Sequence, residues 1–132
     1  MSARYGIDTS VLVRLATGDP ERDYLATLGA LSRLVESDGA EIAASNQVIG
    51  EAYVALQHHY LLSKAVARTA LKSVLESGLV SPSNGPSVLD DLSTMTRCGL
   101  LDRLIVNDYN RQGLKTVTND KRMARLSGSV KL

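Results

Sequence analysis

Tyr5-Gly6-Ile7-Asp8-Thr9-Ser10-Val11-Leu12 passes, within eight residues, from a strand-like segment through an acid into the start of an amphipathic helix. Arg4 to Asp8 reads as a short first strand, and Thr9 or Ser10 offers a capping hydroxyl to a brief helix carrying Val11, Leu12 and Leu15. An aspartate at the end of an apolar strand is expensive to bury without partners. Metal ligation is therefore the stronger reading of Asp8, since Thr9 and Ser10 already supply caps; helix capping is the alternative.

The alternation continues outward from this stretch. Asp19 caps a predicted helix with Pro20 at its first position, and Leu25, Leu28, Leu31 and Leu34 follow at threefold spacing. Ile42 to Ala44 fits a second buried strand, after which Ser45 or Asn46 caps a helix bearing Val48, Ile49, Ala52, Tyr53 and Leu56. Ser63 opens a further helix stopped by Gly78. Leu79-Val80 is a candidate third strand, and Ser87 starts a helix ending around Gly99. Asp102 begins a helix through Arg111, Leu114 to Thr118 is a fourth strand, and Val130 to Leu132 is a terminal edge strand. Strands separated by helices imply a parallel sheet covered on both faces, with ligands at the carboxyl ends of its strands.

The chain has 132 residues, 44% of them hydrophobic and 22% charged, which fits one globular domain spanning 1–132 with a real core. No apolar run approaches a membrane span, and Met1 to Tyr5 leads into the first strand without a signal-peptide core; a cytoplasmic protein is expected. Cys98 is the single cysteine, which excludes an intrachain disulfide and a cysteine-based zinc site. A small buried hydrophobe is its expected role.

The net charge of +1 conceals an asymmetry. Arg97 to Leu132 carries eight Lys or Arg against three Asp, a net +5, while the first 96 residues carry seven bases against eleven acids, a net −4. A basic C-terminal third beside an acidic centre suits a nucleic-acid backbone, with a solvated basic face as the plainer alternative. With 4% aromatic residues and neither Trp nor Phe, an extensive base-stacking platform is not expected.

Three further acids fall where the pattern brings them towards Asp8. Glu51 lies on the Asn46-to-Leu56 helix, off the middle of the Val48, Ala52 and Leu56 stripe, beside Gly50, whose missing side chain permits close approach of another segment. Alone it reads more readily as an exposed helix glutamate, and Gly50 beside it shifts the balance only somewhat. Asp102 starts a helix and Asp120 follows the fourth strand in Thr116-Val117-Thr118-Asn119-Asp120; capping and turn roles compete with ligation at both. Thr118 is placed to support the site through its hydroxyl. Carboxylates gathered at strand ends repel unless a cation sits between them, and Mg²⁺ prefers oxygen ligands. Asp90 and Asp91 are read as facing solvent, and Asp108 lies about 240° round the helix from Asp102. His58 and His59, about 100° apart, make a poor chelating pair, though His58 shares a face with Glu51.

Together, the Tyr5-to-Leu12 segment, Val48 to Tyr53 with Glu51, Asp102-Arg103-Leu104-Ile105 and Val117-Thr118-Asn119-Asp120-Lys121 resemble PIN-domain ribonucleases, and most of all the VapC-type toxins of toxin–antitoxin pairs. The resemblance runs in order over essentially the whole chain. It implies a PIN-like α/β/α sandwich with a central, mostly parallel sheet of four to five strands. It also implies a Mg²⁺- or Mn²⁺-dependent endoribonuclease, a homodimer, and a cognate antitoxin occupying the acidic groove. Asp8, Glu51, Asp102 and Asp120 match the four acidic positions and Thr118 the frequent Thr or Ser. Arg103, Lys121 and Arg122 are candidate RNA contacts. The small residues usual after the third acid are replaced here by Val106, Asn107, Asp108 and Tyr109.

Rival readings differ at single positions. A haloacid-dehalogenase-like phosphatase needs a second aspartate where Ser10 stands, and a receiver domain needs one where Ser81-Pro82-Ser83 stands. A PIN-like module that binds RNA or protein without catalysis, and a PIN nuclease of RNA processing outside a toxin–antitoxin pair, remain as alternatives.

Overall fold

The computed structural model describes residues 3–96 and 98–132; Met1 and Ser2 of the N-terminal lead, and Arg97 of the basic segment, lie outside the described residues. The elements run β1 (Arg4–Gly6), α1 (Thr9–Thr17), α2 (Glu21–Asp38), β2 (Glu41–Ala44), α3 (Asn46–His58), α4 (Lys64–Leu75), β3 (Ser81–Pro82), α5 (Ser87–Ser93), α6 (Leu100–Arg111), β4 (Thr116–Thr118) and β5 (Ser129–Lys131), with a short 3-10 turn at Met123–Arg125.

Capping chemistry sets most of the helix starts. Ser45 and Ser63 each accept a hydrogen bond from the backbone N–H three residues on, Val48 and Val66, at 3.2 Å. Pro20 rather than Asp19 occupies the cap position of α2, with extended backbone, so that helix starts one residue later than its sequence signal. Its end follows Gly39, whose left-handed φ of 64° lets its N–H reach back to Val35.

All strand pairings are parallel. β1 pairs with β2 in register Arg4–Glu41, Tyr5–Ile42 and Gly6–Ala43, and β2 pairs with β3 through Ala43–Ser81 and Ala44–Pro82. β4 pairs with β5. Among the described residues the strands thus form one three-stranded and one two-stranded sheet instead of a continuous ladder. The reason is local: β4 takes a partner little more than ten residues on, at small loop-closure cost, and its bonds go to the C-terminal segment, Thr116 N–H to Gly128 and Leu132 N–H to Thr118. The third strand forms at Ser81–Pro82, just beyond the expected Leu79-Val80, and Val80 is buried beneath it.

The core lies between the three-stranded sheet and helices α1, α3, α4, α5 and α6, around Ile7, Leu12, Ile42, Ile49, Leu56, Leu71, Val88 and Leu100. Leu31 and Leu34 of α2 pack against it, but Leu25 is 55% exposed. Threefold spacing drifts round a 3.6-residue helix, which leaves Leu25 and Leu34 about 180° apart. Among the described residues no helix is long and apolar enough to cross a membrane.

Gly50 does what its position suggested. A Cβ there would lie 3.1 Å from Leu101 and 3.6 Å from Leu104, so α6 crosses α3 at a distance that glycine permits. Glu51, next to Gly50, and Asp102, next to Leu101, lie on the two helices that meet at this crossing.

Candidate active site

Asp8 follows β1 and is the N-cap of α1: its Oδ1 accepts from Val11 N–H at 3.1 Å and from the Ser10 hydroxyl at 2.7 Å. These two bonds, the Ser10 hydroxyl first, hold its pKa below the usual carboxylate value. The capping role weighed as an alternative for Asp8 is therefore present, and Thr9 and Ser10 do not replace it. Thr9 instead donates to Oε2 of Glu51 at 3.2 Å. That bond joins the neighbourhood of the first acid to the second.

Asp102 lies inside the first turn of α6, because the helix begins at Leu100 with Gly99 as its cap. Its carboxylate is therefore not spent on capping, and no hydrogen bond holds it among the described residues. Asp120 follows β4, and its Oδ1 accepts from the backbone N–H groups of Arg122 and Met123 at 2.8 Å each. Thr118 Oγ1 accepts from Asp120 N–H at 3.0 Å. Its hydroxyl thus fixes the turn on which Asp120 stands.

Cys98 and Asp102 line one cleft at the start of α6. Burial pushes the Cys98 thiol's pKa up, Arg103 opposes the shift, and the charges of Asp102 and Asp120 add to it. The Thr9 bond ties Glu51 to the residue after Asp8, and the Gly50–Leu101 contact brings the helices carrying Glu51 and Asp102 together. The four acids do not form a closed cage: among the described residues no group of three or more His, Cys, Asp or Glu side chains is gathered to hold a metal.

The donors fit a hard divalent cation. All four are carboxylates, and Asp8, Asp120 and Glu51 each use one oxygen in a protein hydrogen bond while the other has none among the described residues. Mg²⁺ usually keeps several waters and takes one or two carboxylates plus substrate phosphate, so it does not need a three-ligand cage.

Of the expected RNA contacts, Lys121 and Arg122 are exposed beside Asp120. Arg103 is not available. It is 8% exposed, its Nη2 donates to Thr96 O, and its Nη1 lies 3.9 Å from Asp91 Oδ1. The physical reason is its place on the helix: Leu100, Arg103, Leu104 and Asn107 form one stripe, which faces inward.

Asp91 likewise does not face solvent freely. Burial pushes its pKa up to about 6 against the opposing charges of Arg103 and Arg68. Arg68, 4% exposed, donates to Asp91 O and Thr94 O at 3.0 and 2.7 Å, with its guanidinium 5.7 Å from the Tyr53 ring centre. A second unforeseen group sits beyond β2 and β3. Asn46 donates to Leu104 O and Asn107 Oδ1, and Asn84 donates to Asn107 Oδ1 and to Asp108 Oδ1 at 2.7 Å. Asn107, at the position that departs from the family pattern, binds α6 to both strand ends. The signal was present in the sequence as polar residues interrupting an apolar helical stripe.

An apolar groove of about 520 Å³ runs between α3 and α6, with Gly50, Val54, Leu101 and Ile105 on its walls and Glu51 and Asp108 at its edges. Leu61 is 84% exposed, whereas its neighbour Leu62 packs against the core.

A family model described as PIN domain matches residues 5–129. No curated protein and no solved structure matches the chain.

Proposed function

The chain belongs to the PIN-domain family, and from that premise we propose that it is a divalent-metal-dependent endoribonuclease, the toxin of a toxin–antitoxin pair. Members of the family are generally nucleases. The observation that supports the reading is where the acids lie along the fold: Asp8 and Asp120 each stand two residues beyond a parallel strand, and Glu51 and Asp102 lie on the two helices that cross at Gly50. Strand ends of this kind are where parallel α/β folds place ligands.

Asp8, Asp102 and Asp120 would hold Mg²⁺ or Mn²⁺, directly or through water. Bound there, the ion supplies Lewis-acid stabilisation of the phosphate and lowers the pKa of a coordinated water. Glu51 keeps Oε1 available to accept a proton from, or orient, the attacking water, while Thr9 holds its Oε2. Thr118 and the backbone of Arg122 and Met123 fix Asp120. Lys121 and Arg122 draw the phosphodiester towards it. A cognate antitoxin, and a second copy of this chain, are the expected protein partners; the exposed apolar residues Val54, Leu101, Ile105 and Tyr109 provide surface for such contacts.

A second reading has its own support. Asp8 caps α1, Asp120 closes a turn, and no three-acid group is assembled among the described residues. These features suit a module that binds RNA or protein without cleaving it. Incubation of the chain with structured RNA in Mg²⁺, Mn²⁺ or EDTA separates the two. The nuclease reading requires metal-dependent internal cleavage that is lost in Asp8→Asn and Asp102→Asn. Binding without cleavage, or cleavage retained in both variants, excludes it.

A further inference from the structure

We propose that the cleft of about 540 Å³ where α3 and the starts of α4 and α6 meet is a phosphate-binding subsite that seats an RNA strand beside Asp102. The proposal rests on the nuclease reading and adds to it the surface that holds the substrate.

The cleft gathers His58 from the end of α3, Lys64 from the first turn of α4, Arg68 one turn further and Arg122 from beyond β4, with Asp102 as the acid on its wall. Lys64, Arg68 and Arg122 outnumber Asp102 on the lining and Asp120, whose charge also reaches Cys98 there, which gives the cleft a positive balance. Clefts with charge of one sign and low-dielectric walls concentrate the opposite charge.

The start of α6 adds to this potential. Gly99 caps the helix without a side-chain hydrogen bond, and Gly99, Leu100 and Leu101 border the cleft. The first N–H groups of a helix lack intrahelical acceptors and carry the positive end of its dipole, which suits a phosphate oxygen.

Arg68 supplies the independent observation. It is buried to 4% exposure yet has no ion-pair partner within 4 Å among the described residues, and its Nε is buried without a hydrogen-bond partner. The nearest carboxylate, Asp91, is already shared with Arg103. Two buried guanidiniums therefore share one carboxylate, and Arg68, which lines this cleft while its Nη1 donates to Asp91 O and Thr94 O, keeps a positive charge that is not fully offset. A buried charge without a counter-ion is costly, and an incoming anion offsets that cost.

The remaining walls include the apolar Leu101 at 43% and Met95 at 55% exposure. Gln57 also lines the cleft, but its amide nitrogen already donates to Tyr53 O at 3.1 Å. Seating is therefore through the backbone and tolerant of sequence.

The test measures binding of a labelled single-stranded 12-nucleotide RNA by fluorescence anisotropy, in EDTA to prevent cleavage, from 50 to 200 mM KCl. The double variant Lys64→Ala, Arg122→Ala is expected to bind about tenfold more weakly, with a salt slope shallower by roughly 1.4, as for two lost phosphate contacts on a single strand. Arg22→Ala, Arg33→Ala, on the exposed surface of α2, is expected to bind as the unaltered chain does. Unchanged affinity and slope in the first variant overturn the subsite, as do equal losses in both variants or no binding by the unaltered chain. Metal-dependent cleavage by the unaltered chain, measured separately, tells failure of the subsite from failure of the nuclease reading.

Discussion

Thr9 on α1 donates its hydroxyl hydrogen to Oε2 of Glu51 on α3 across 3.2 Å, linking positions 42 residues apart. The bond leaves Oε1 of Glu51 as the oxygen able to act on water. Thr9→Val keeps shape and removes the donor at a half-buried position, so the fold is expected to persist. Groups that orient metal-site ligands are typically worth about 10- to 100-fold in activity. RNA cleavage by Thr9→Val should fall by about that factor with little change in melting temperature; full activity would show that Glu51 needs no such orientation.

Asp8 and Asp120 each carry two duties, and the choice of substitution separates them. Asparagine keeps the Oδ1 acceptor that caps α1 or closes the Asp120 turn, whereas alanine removes it, at a typical cost of about 1 kcal/mol per cap. Asp8→Asn and Asp120→Asn should therefore melt near the unaltered chain while losing metal-dependent cleavage. The alanine variants should lose both. An asparagine variant that unfolds as readily as its alanine counterpart would show that the charge itself holds the turn.

The buried node of Asp91, Arg68 and Arg103 gives stability a pH dependence of unusual sign. Asp91 keeps its proton in the folded chain up to about pH 6, while the unfolded chain releases it near the ordinary aspartate value of 3.8. Between these values the folded state binds the extra proton, so this group's contribution to stability is fully present below about pH 3.8 and lost as pH rises through 6. A shift of this size corresponds to roughly 2 to 3 kcal/mol. Denaturant unfolding from pH 4 to 7 should show the decline from this group in the unaltered chain and not in Asp91→Asn. Parallel profiles would remove Asp91 as its source.

The α3–α6 crossing depends on the absence of a side chain at position 50. Gly50→Leu drives a branched chain into Leu101 and Leu104, where even a Cβ would stand 3.1 and 3.6 Å away. Overpacking of this kind costs about 1 to 3 kcal/mol. The urea midpoint should fall accordingly, and an unchanged midpoint would mean that the helices do not meet there.

The helices were legible because their signals are local: Ser45 and Ser63 cap where hydroxyls precede apolar periodicity. Gly50 was legible for the same reason, as a glycine inside a helical pattern. The division of strands into two sheets was not, because strands of two to four residues carry too little pattern to name their partners. Arg103 was misread for a different reason. An arginine beside an aspartate at a helix start reads as a surface pair, and only its spacing from Leu100 and Leu104 marks it as inward. Its acceptors, Thr96 O and Asp91, belong to a neighbouring loop and helix whose approach no local pattern encodes.

The capping bonds at Asp8 and Asp120 also change how relatives of this chain can be interpreted. Selection for folding alone would preserve an acceptor at both positions, so a lineage that had abandoned cleavage would still tend to show Asp or Asn there. Glu51 and Asp102 close no turn. Their loss would cost a folded, inactive descendant little, and their retention across diverged sequences is therefore the more telling record of continued chemistry.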